Sequence, residues 1–450
     1  MIKTNDKSHR NPERTESRRT LRAALTGASS AVARAFQLAI SLISIPLAIH
    51  YLGTERFGLW MTIFSLVNIL NFADFGIGNG LLNAVAEAYG RNDSKYIREA
   101  VSSGFFVLFV LSVFFSVLFS LLYVHVDWPG FFRVHSPTAI HEAGPTAIVF
   151  FASFAVALPF GTAQRIQLAQ QEGYINGIWS IIGTLIGFIG LCTAIHCRLG
   201  LPWLILSVAG GPSISMVANC VTIFWHRPCL RPSLEHVTRD LSKRLLKTGS
   251  LFFALQIAMA VGYQTDNIVI TRIIGPESVA SYSVALKVFQ AVPTFLGFFM
   301  LALWPAYGEA MACGDYAWIE KIYRKSISLN FVIGVIAASL LFLSAPTLIR
   351  VWAGKNLEPS HLLLVALAGY CVTNTLIGPI SAIMNGMNLL RFQSITWSLM
   401  AIANLTLSIY LTRSIGVSGV AFGSMITQAI FILCPSVLYL RKVLTQSRAA

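Results

Sequence analysis

The sequence predicts an all-α integral membrane protein with twelve transmembrane helices in two parallel six-helix lobes. Three observations carry this expectation. Of 450 residues, 55% are hydrophobic and only 12% are charged, against roughly 25% charged residues in ordinary soluble domains. Apolar blocks of about 20 residues, the length a helix needs to cross a bilayer core, recur along the whole chain. The segments between them carry lysine and arginine with a strong alternation of sides. A β-barrel is excluded, because barrel strands alternate polar and apolar residues over about 10 positions. LFFALQIAMAVGY and AIVFFASFAVALPF run apolar without alternation.

Residues 1–22, MIKTNDKSHRNPERTESRRTLR, are polar, basic and aperiodic, and read as a disordered cytoplasmic tail. The first apolar segment is long enough to span and is followed at once by another, which argues against a cleaved signal peptide. The amino-terminal lobe, 23–226, holds spans 27–50, 57–88, 103–123, 147–165, 177–196 and 203–225. A basic cytoplasmic linker, 227–248, leads to the second lobe, 249–441. Its spans are 249–271, 279–306, 327–348, 360–388, 394–411 and 416–438, with 442–450 as a second tail. The second and eighth spans are unusually long, and the second is interrupted.

Sidedness supports this count. With the amino terminus in the cytoplasm, 24 of the 33 lysines and arginines fall inside and seven outside, while Arg34 and Lys287 lie within spans. Basic residues concentrate on cytoplasmic loops, so both termini are expected inside. The net charge of +14 is therefore a topology signal and not a nucleic-acid footprint. The seven cysteines are scattered, with no Cys-x-x-Cys spacing, and imply neither a disulfide framework nor a metal site.

A shift of 222 residues aligns the halves without a gap. Thr26-Gly27 falls on Thr248-Gly249, the Gly53 turn on Gly275, Glu87-Ala88 on Glu309-Ala310, and Asp93 on Asp315. Each half has an even number of spans, so the copies share one orientation and are related by an axis along the membrane normal, a plan used by transporters.

Ionisable groups inside spans cost roughly 2.5–3.5 kcal/mol each on insertion scales and tend to face protein or water. Four stand out: Arg34, Asp74, Asp266 and Lys287. Arg34 heads a polar stripe with Gln37, Ser41 and Ser44, and Lys287 shares a face with Ser283, Gln290 and Thr294. Under the shift Ser65 falls on Lys287 and Asn68 on Gln290. A polar face on each lobe suits a hydrated cavity, and two cations suit an anionic cargo. Two simpler readings stand beside this. Asp266 and Lys287, at equal distances from the turn near Pro276, could neutralise one another, and Arg34 could snorkel to headgroups.

In NFADFGIGNGLLNAVAEAYG (71–90), Gly76, Gly78 and Gly80 alternate within a membrane helix. They read either as a flexible joint or as small residues for tight packing. Ser65, Asn68, Asn71 and Asp74 precede them, so the second span is expected to line the cavity and to change shape. Asp74 is also a candidate for a coupling ion, H+ or Na+.

The combination of YLGTERFGLW, then NFADFGIGNGLLNAVAEAYGRND, then the basic helix start YIREA resembles the polysaccharide-biosynthesis flippases. These belong to the multidrug/oligosaccharidyl-lipid/polysaccharide exporter superfamily and include O-antigen flippases. The resemblance covers the whole chain in layout, with its motifs concentrated in residues 51–100. It implies two lobes around a central cavity, and a lipid-linked oligosaccharide moved from the inner to the outer leaflet of the bacterial inner membrane by alternating access. It further implies membrane lipids, a polysaccharide polymerase and chain-length proteins as partners. Within the same architecture the alternative is a cation-coupled drug exporter, against which the intramembrane basic residues argue. A saccharide polymerase or ligase would need a catalytic outer loop. The longest outer connection, 124–146, holds His125, His135 and His141 but no metal-like spacing. No nucleotide-binding or nucleophile motif is present, so no enzyme activity is expected.

Overall fold

The computed structural model describes residues 12–70, 72–132, 134–353 and 359–449, and every regular element among them is helical. Helix α1 (Pro12–Leu70) is two helices joined at Gly53, whose φ of 74° and ψ of 173° break the regular path. There follow α2 (Ile77–Arg91), α3 (Ser94–Tyr123), the short α4 (Trp128–Phe132), α5 (Pro137–Phe160), α6 (Thr162–Ala169), α7 (Gly173–His196) and α8 (Leu201–His226). The second half contains α9 (Arg239–Ile273), α10 (Pro276–Ala312), α11 (Tyr316–Ala353), α12 (His361–Gly386), α13 (Leu390–Ile415), α14 (Ser418–Gln428) and α15 (Cys434–Ala449). A five-residue π-helical turn, Ala429–Leu433, joins the last two.

Eleven helices among the described residues are long and apolar enough to cross a membrane. The remaining expected crossing, the second, is divided between the end of α1 and α2, neither of which reaches the roughly 20 residues a crossing requires. Other differences from expectation are at the ends of elements. From Pro12 the expected tail is helical, whereas residues 1–11 lie outside the described residues. The second tail is helical to Ala449. The connection expected on the outer face, 124–146, is largely helical among its described residues, with α4 inside it and α5 beginning at Pro137. There the Ser136 side chain accepts from the Ala139 amide and proline occupies the first turn.

The chain forms two compact units: Ala24–Ser250, and Leu251–Ala450 with the segment up to Ala23. Helix α9 runs through the boundary without interruption. In lipid, helices gain little from hydrophobic exclusion and associate by close packing of small residues, and both units show this. A Cβ on Gly211 of α8 would lie 2.6 Å from the Gly187 amide of α7, and one on Gly183 would lie 2.5 Å from the Ser215 hydroxyl. In the second unit Gly419 and Gly423 of α14 press on the Leu411 backbone and Ser408 of α13. At the far end of the unit, Tyr439 of α15 stacks on Phe392 at 4.1 Å.

Local geometry supports the internal repeat. Gly53 and Gly275 both have positive φ, 74° and 125°, at the turn after the first span of each half. Asn92 and Gly314 both take left-handed φ, 55° and 73°. The next residues, Asp93 and Asp315, each bond back to an alanine carbonyl and cap the following helix through Oδ1. Further along, the helix ends at Gln171 and Asn388 share the same paired carbonyl bonds. These two positions lie 217 apart, so the gapless alignment ends between Asp315 and Asn388, where the second half is five residues shorter.

The expected linker is docked onto the first unit. The Ser233 and Thr238 amides donate to the Ser102 and Ser103 hydroxyls of α3, and Arg244 reaches both Glu87 (2.7 Å) and the Tyr96 hydroxyl (2.5 Å). Arg227 holds Glu172 in a bidentate pair at 2.7 Å and also donates to Gln170. At the opposite end, Arg56 forms a bidentate pair with Glu142, at 2.7 and 2.6 Å. Its neighbour Glu55 accepts from the His135 and Ser136 amides at the start of α5. These amide bonds hold the Glu55 carboxyl at about 2, well below the usual carboxylate range.

Two outcomes are expected. Gly211→Val should cost about 1–3 kcal/mol or more, by forcing α7 and α8 apart, read as a lowered thermal midpoint in detergent. Glu55 has a depressed folded pKa, so its contribution is complete above the unfolded value of about 4.3 and is lost as pH falls toward about 2. The difference in thermal midpoint between the wild type and Glu55→Gln should shrink across that window.

Candidate functional site

In the first unit, Arg34 is exposed on α1 and donates to Gln37 Oε1 at 3.2 Å. Gln37 in turn donates from Nε2 to the Ser180 hydroxyl of α7 at 2.7 Å. The polar stripe is thus ordered by a neighbouring helix, with Ser41 exposed one turn further along. The side chains of Ser65 and Asn68, and Asn71 as a whole, lie outside the described residues.

Asp74 sits in the gap between α1 and α2. Its Oδ1 accepts from the Gly76 amide at 2.8 Å, which satisfies backbone freed by the break. Phe75 (φ 46°) and Gly76 (φ 72°) both turn left-handed here. Among the described residues the bend occupies 72–76. Gly78 and Gly80 do not belong to it: they are buried in regular helix and have other tasks. A Cβ on Gly78 would meet Asp74 Oδ2 at 2.8 Å and Arg165 Nε at 3.0 Å. The Arg165 guanidinium, held by Asn79 Oδ1 at 2.8 Å, lies across the first turn of α2 through that missing side chain. Gly80 faces the Leu245 carbonyl of α9, and Gly249 of α9 faces the Phe75 carbonyl, so glycines on both helices permit their approach beside the break.

The second unit departs most from expectation. Asp266 is only 4% exposed, so it lies in the interior of its unit and does not join an outward-facing polar stripe. Among the described residues it makes no ion pair with Lys287. Its Oδ2 accepts from the Tyr282 hydroxyl at 2.8 Å and from Ser424 at 3.3 Å. The reason is rotational. On α10, Tyr282, Ala285 and Phe289 are buried with Val269 and Ile270 of α9, whereas Lys287 is exposed on another face.

Asn404 of α13 completes the cluster. It donates to the Gly262 carbonyl at 3.0 Å and accepts from Ser408, Ser424 and Thr427 at 3.0, 3.2 and 3.5 Å. A second group adjoins it: Gln290 donates to the Tyr370 hydroxyl at 3.4 Å, and Gln428 accepts from Thr373 and Asn374 at 3.1 and 3.2 Å. Sequence reasoning singled out Asp266 and Gln290 but missed Tyr282, Tyr370, Asn404, Ser408, Ser424, Thr427 and Gln428. A signal existed in the spacing of three and four between Ser424, Thr427 and Gln428, and of four between Asn404 and Ser408.

The Asp266 carboxylate thus lies among hydroxyls and amides, and among the described residues no cation pairs with it. Among the described residues no group of three or more His, Cys, Asp or Glu gathers to hold a metal ion. Asp266→Asn should keep stability or raise it, since it removes a buried charge and retains a polar partner. Asp266→Leu should cost about 1–3 kcal/mol for each hydroxyl left without an acceptor. Thermal midpoints of the two variants in detergent check this.

Comparison with known proteins adds the following. Residues 27–311 match the family described as polysaccharide biosynthesis protein. A Salmonella typhimurium protein named "Putative O-antigen transporter" is 24% identical over 422 residues, covering 90% of this chain and 93% of its own. A Yersinia pseudotuberculosis protein named "Putative O-antigen export protein" is 22% identical over 349 residues, covering 74% and 76%. Among solved structures, an outward-facing MATE family transporter of the MOP superfamily superposes with a TM-score of 0.79 at 16% identity, over 95% of this chain and 96% of that one. A Vibrio cholerae MATE transporter gives 0.82 at 11%, over 96% and 98%. These structural likenesses establish a shared fold.

Proposed function

The chain belongs to the polysaccharide biosynthesis protein family, and from that premise we propose that it is a flippase for an anionic, lipid-linked oligosaccharide. It is a multi-pass membrane protein, and its relatives are named as O-antigen transporters and exporters. The cargo in this reading is a polyprenyl-diphosphate-linked O-antigen or exopolysaccharide repeat unit, moved from the inner to the outer leaflet of the inner membrane. Both termini lie in the cytoplasm, as the distribution of basic residues favours.

One observation carries the reading. Each unit exposes a cation within an apolar span, Arg34 on α1 and Lys287 on α10. Lipid would oppose each by roughly 2.5–3.5 kcal/mol, so each calls for hydrated surroundings, and a phosphate group is a fitting partner for either. Gln37, fixed by Ser180, supplies a neighbouring donor and acceptor for sugar hydroxyls. The break at 72–76, already stabilised by Asp74, is the segment of the second span best suited to change conformation during alternating access. No covalent step is required of the chain. The work of transport comes from an ion, H+ or Na+, taken by Asp266. This replaces Asp74 as the favoured coupling group, because the carboxylate of Asp74 already serves the backbone at the break. A polymerase and chain-length proteins would act on the delivered product.

A drug exporter of the same fold is the second reading, and the exposed basic residues oppose the organic cations it would carry. In proteoliposomes with a fluorescent lipid-linked saccharide, Arg34→Ala and Lys287→Ala should each slow leaflet transfer about tenfold or more, the loss of one charged hydrogen bond. Undiminished transfer in the double variant would remove the cation mechanism. Drug resistance on overexpression, without saccharide transfer, would favour the exporter.

A further inference from the structure

Helix α10 carries two groups of different purpose. Tyr282 faces the unit's interior, 1% exposed, with its hydroxyl on Asp266. Lys287, five residues on, is exposed. At 1.5 Å and 100° per residue, the two are about 7.5 Å apart along the axis and about 140° apart around it. Both stand on one continuous helix, so Tyr282 and Lys287 shift together. A second tether, Gln290 to the Tyr370 hydroxyl, lies three residues past Lys287.

Resting on the ion-coupled reading above, we infer that Tyr282 is the positioning residue that transmits the state of Asp266 to Lys287. Hydrogen bonds to an ionised acceptor are roughly twice as strong as neutral ones. The empty, charged carboxylate therefore holds the Tyr282 hydroxyl and with it α10. A proton or a sodium ion on Asp266 takes over its charge, weakens that bond and frees α10 to move about the Gln290 tether. Lys287 then changes position relative to the rest of its unit. The groups facing Asp266 are Tyr282 from α10, Tyr370 from α12, Asn404 from α13 and Ser424 from α14. Among the described residues none of these partners is a cation, so no other charge competes for the signal. Of the direct hydrogen-bond partners, Tyr282 alone is on the helix that bears Lys287.

Coupling between two binding events is reciprocal, which supplies a test that a merely structural role would not meet. Full-length protein in nanodiscs is titrated with geranylgeranyl diphosphate, a polyprenyl diphosphate without sugar, across a pH series with and without sodium chloride. The wild type should show an affinity that changes with proton or sodium by about 5- to 150-fold. Tyr282→Phe, which keeps the ring and its packing, should still bind the probe but with that ratio reduced to about one, since the coupling is gone. Asp266→Asn should bind with one fixed affinity, and adding Tyr282→Phe to it should change nothing further.

A Tyr282→Phe protein with the wild-type ratio overturns the transmission role alone, as does a large added effect in the double variant. A wild type indifferent to both ions overturns the ion-coupled reading and this one together, while saccharide transfer dependent on Arg34 would still stand. Amide hydrogen exchange on the unmodified protein gives a check that needs no variant. After correction for intrinsic rates, α10 should lose protection when ion is added, and equal protection would overturn the inference.

Discussion

The bilayer offers no water to a backbone or side-chain polar group, so each one must find its partner inside the protein. That constraint organises this molecule. It makes the chain helical, and it shapes the departures from regular helix. Where the second span breaks, Asp74 bonds to the Gly76 amide. Where Asp266 is buried, hydroxyls from α10 and α14 come to it, and the amide of Asn404 draws the second of these into a wider cluster. In the first unit the buried amides of Gln167 and Asn219 bond reciprocally at 2.7 and 2.9 Å.

The same constraint separates two kinds of polar residue within the spans. Groups satisfied within a unit, such as Asp266 and Gln428, are structural in geometry, and of these two only the carboxylate can change its charge state. Arg34 and Lys287 are exposed; Arg34 donates to Gln37 on its own helix, and both charges stay open to their surroundings. The repeat reinforces the distinction. The halves agree at turns and caps, at Gly53 with Gly275 and Asp93 with Asp315. They differ in the spans that carry chemistry: the second span of the first half is broken, while α10 in the second half is continuous through Pro293 and Pro305.

Much of the architecture was legible because hydropathy and span length report the same physical requirement. The ends of elements were not. The turn HEAG after Pro137 reads as loop by composition, yet Ser136 and the proline start a helix there. Equal depth suggested that Asp266 and Lys287 meet, but depth says nothing of rotation about the helix axis, and that rotation turns Lys287 away. The glycines at 76, 78 and 80 look alike in the sequence and do three different things. Only the first takes a left-handed turn; the others make room for an arginine and for a neighbouring backbone. Serines and threonines such as Ser424 and Thr427 pass as ordinary membrane residues, since each can bond to its own helix, and only the Asp266 carboxylate and the Asn404 amide on other helices give them meaning.

The π-helical turn at Ala429–Leu433 bears on how this gene tolerates change in length. Such a turn accommodates one residue more than an α-helical path would, and here it lies between Gln428 and the final helix. Removing a single codon within it would return the segment to regular α-helix and leave everything downstream in its present rotation. Leu440, now fully enclosed, and Tyr439, now stacked on Phe392, would keep their seats. A one-residue deletion is therefore expected to be tolerated here, whereas the same deletion elsewhere in the last span would turn the downstream side chains by about 100°.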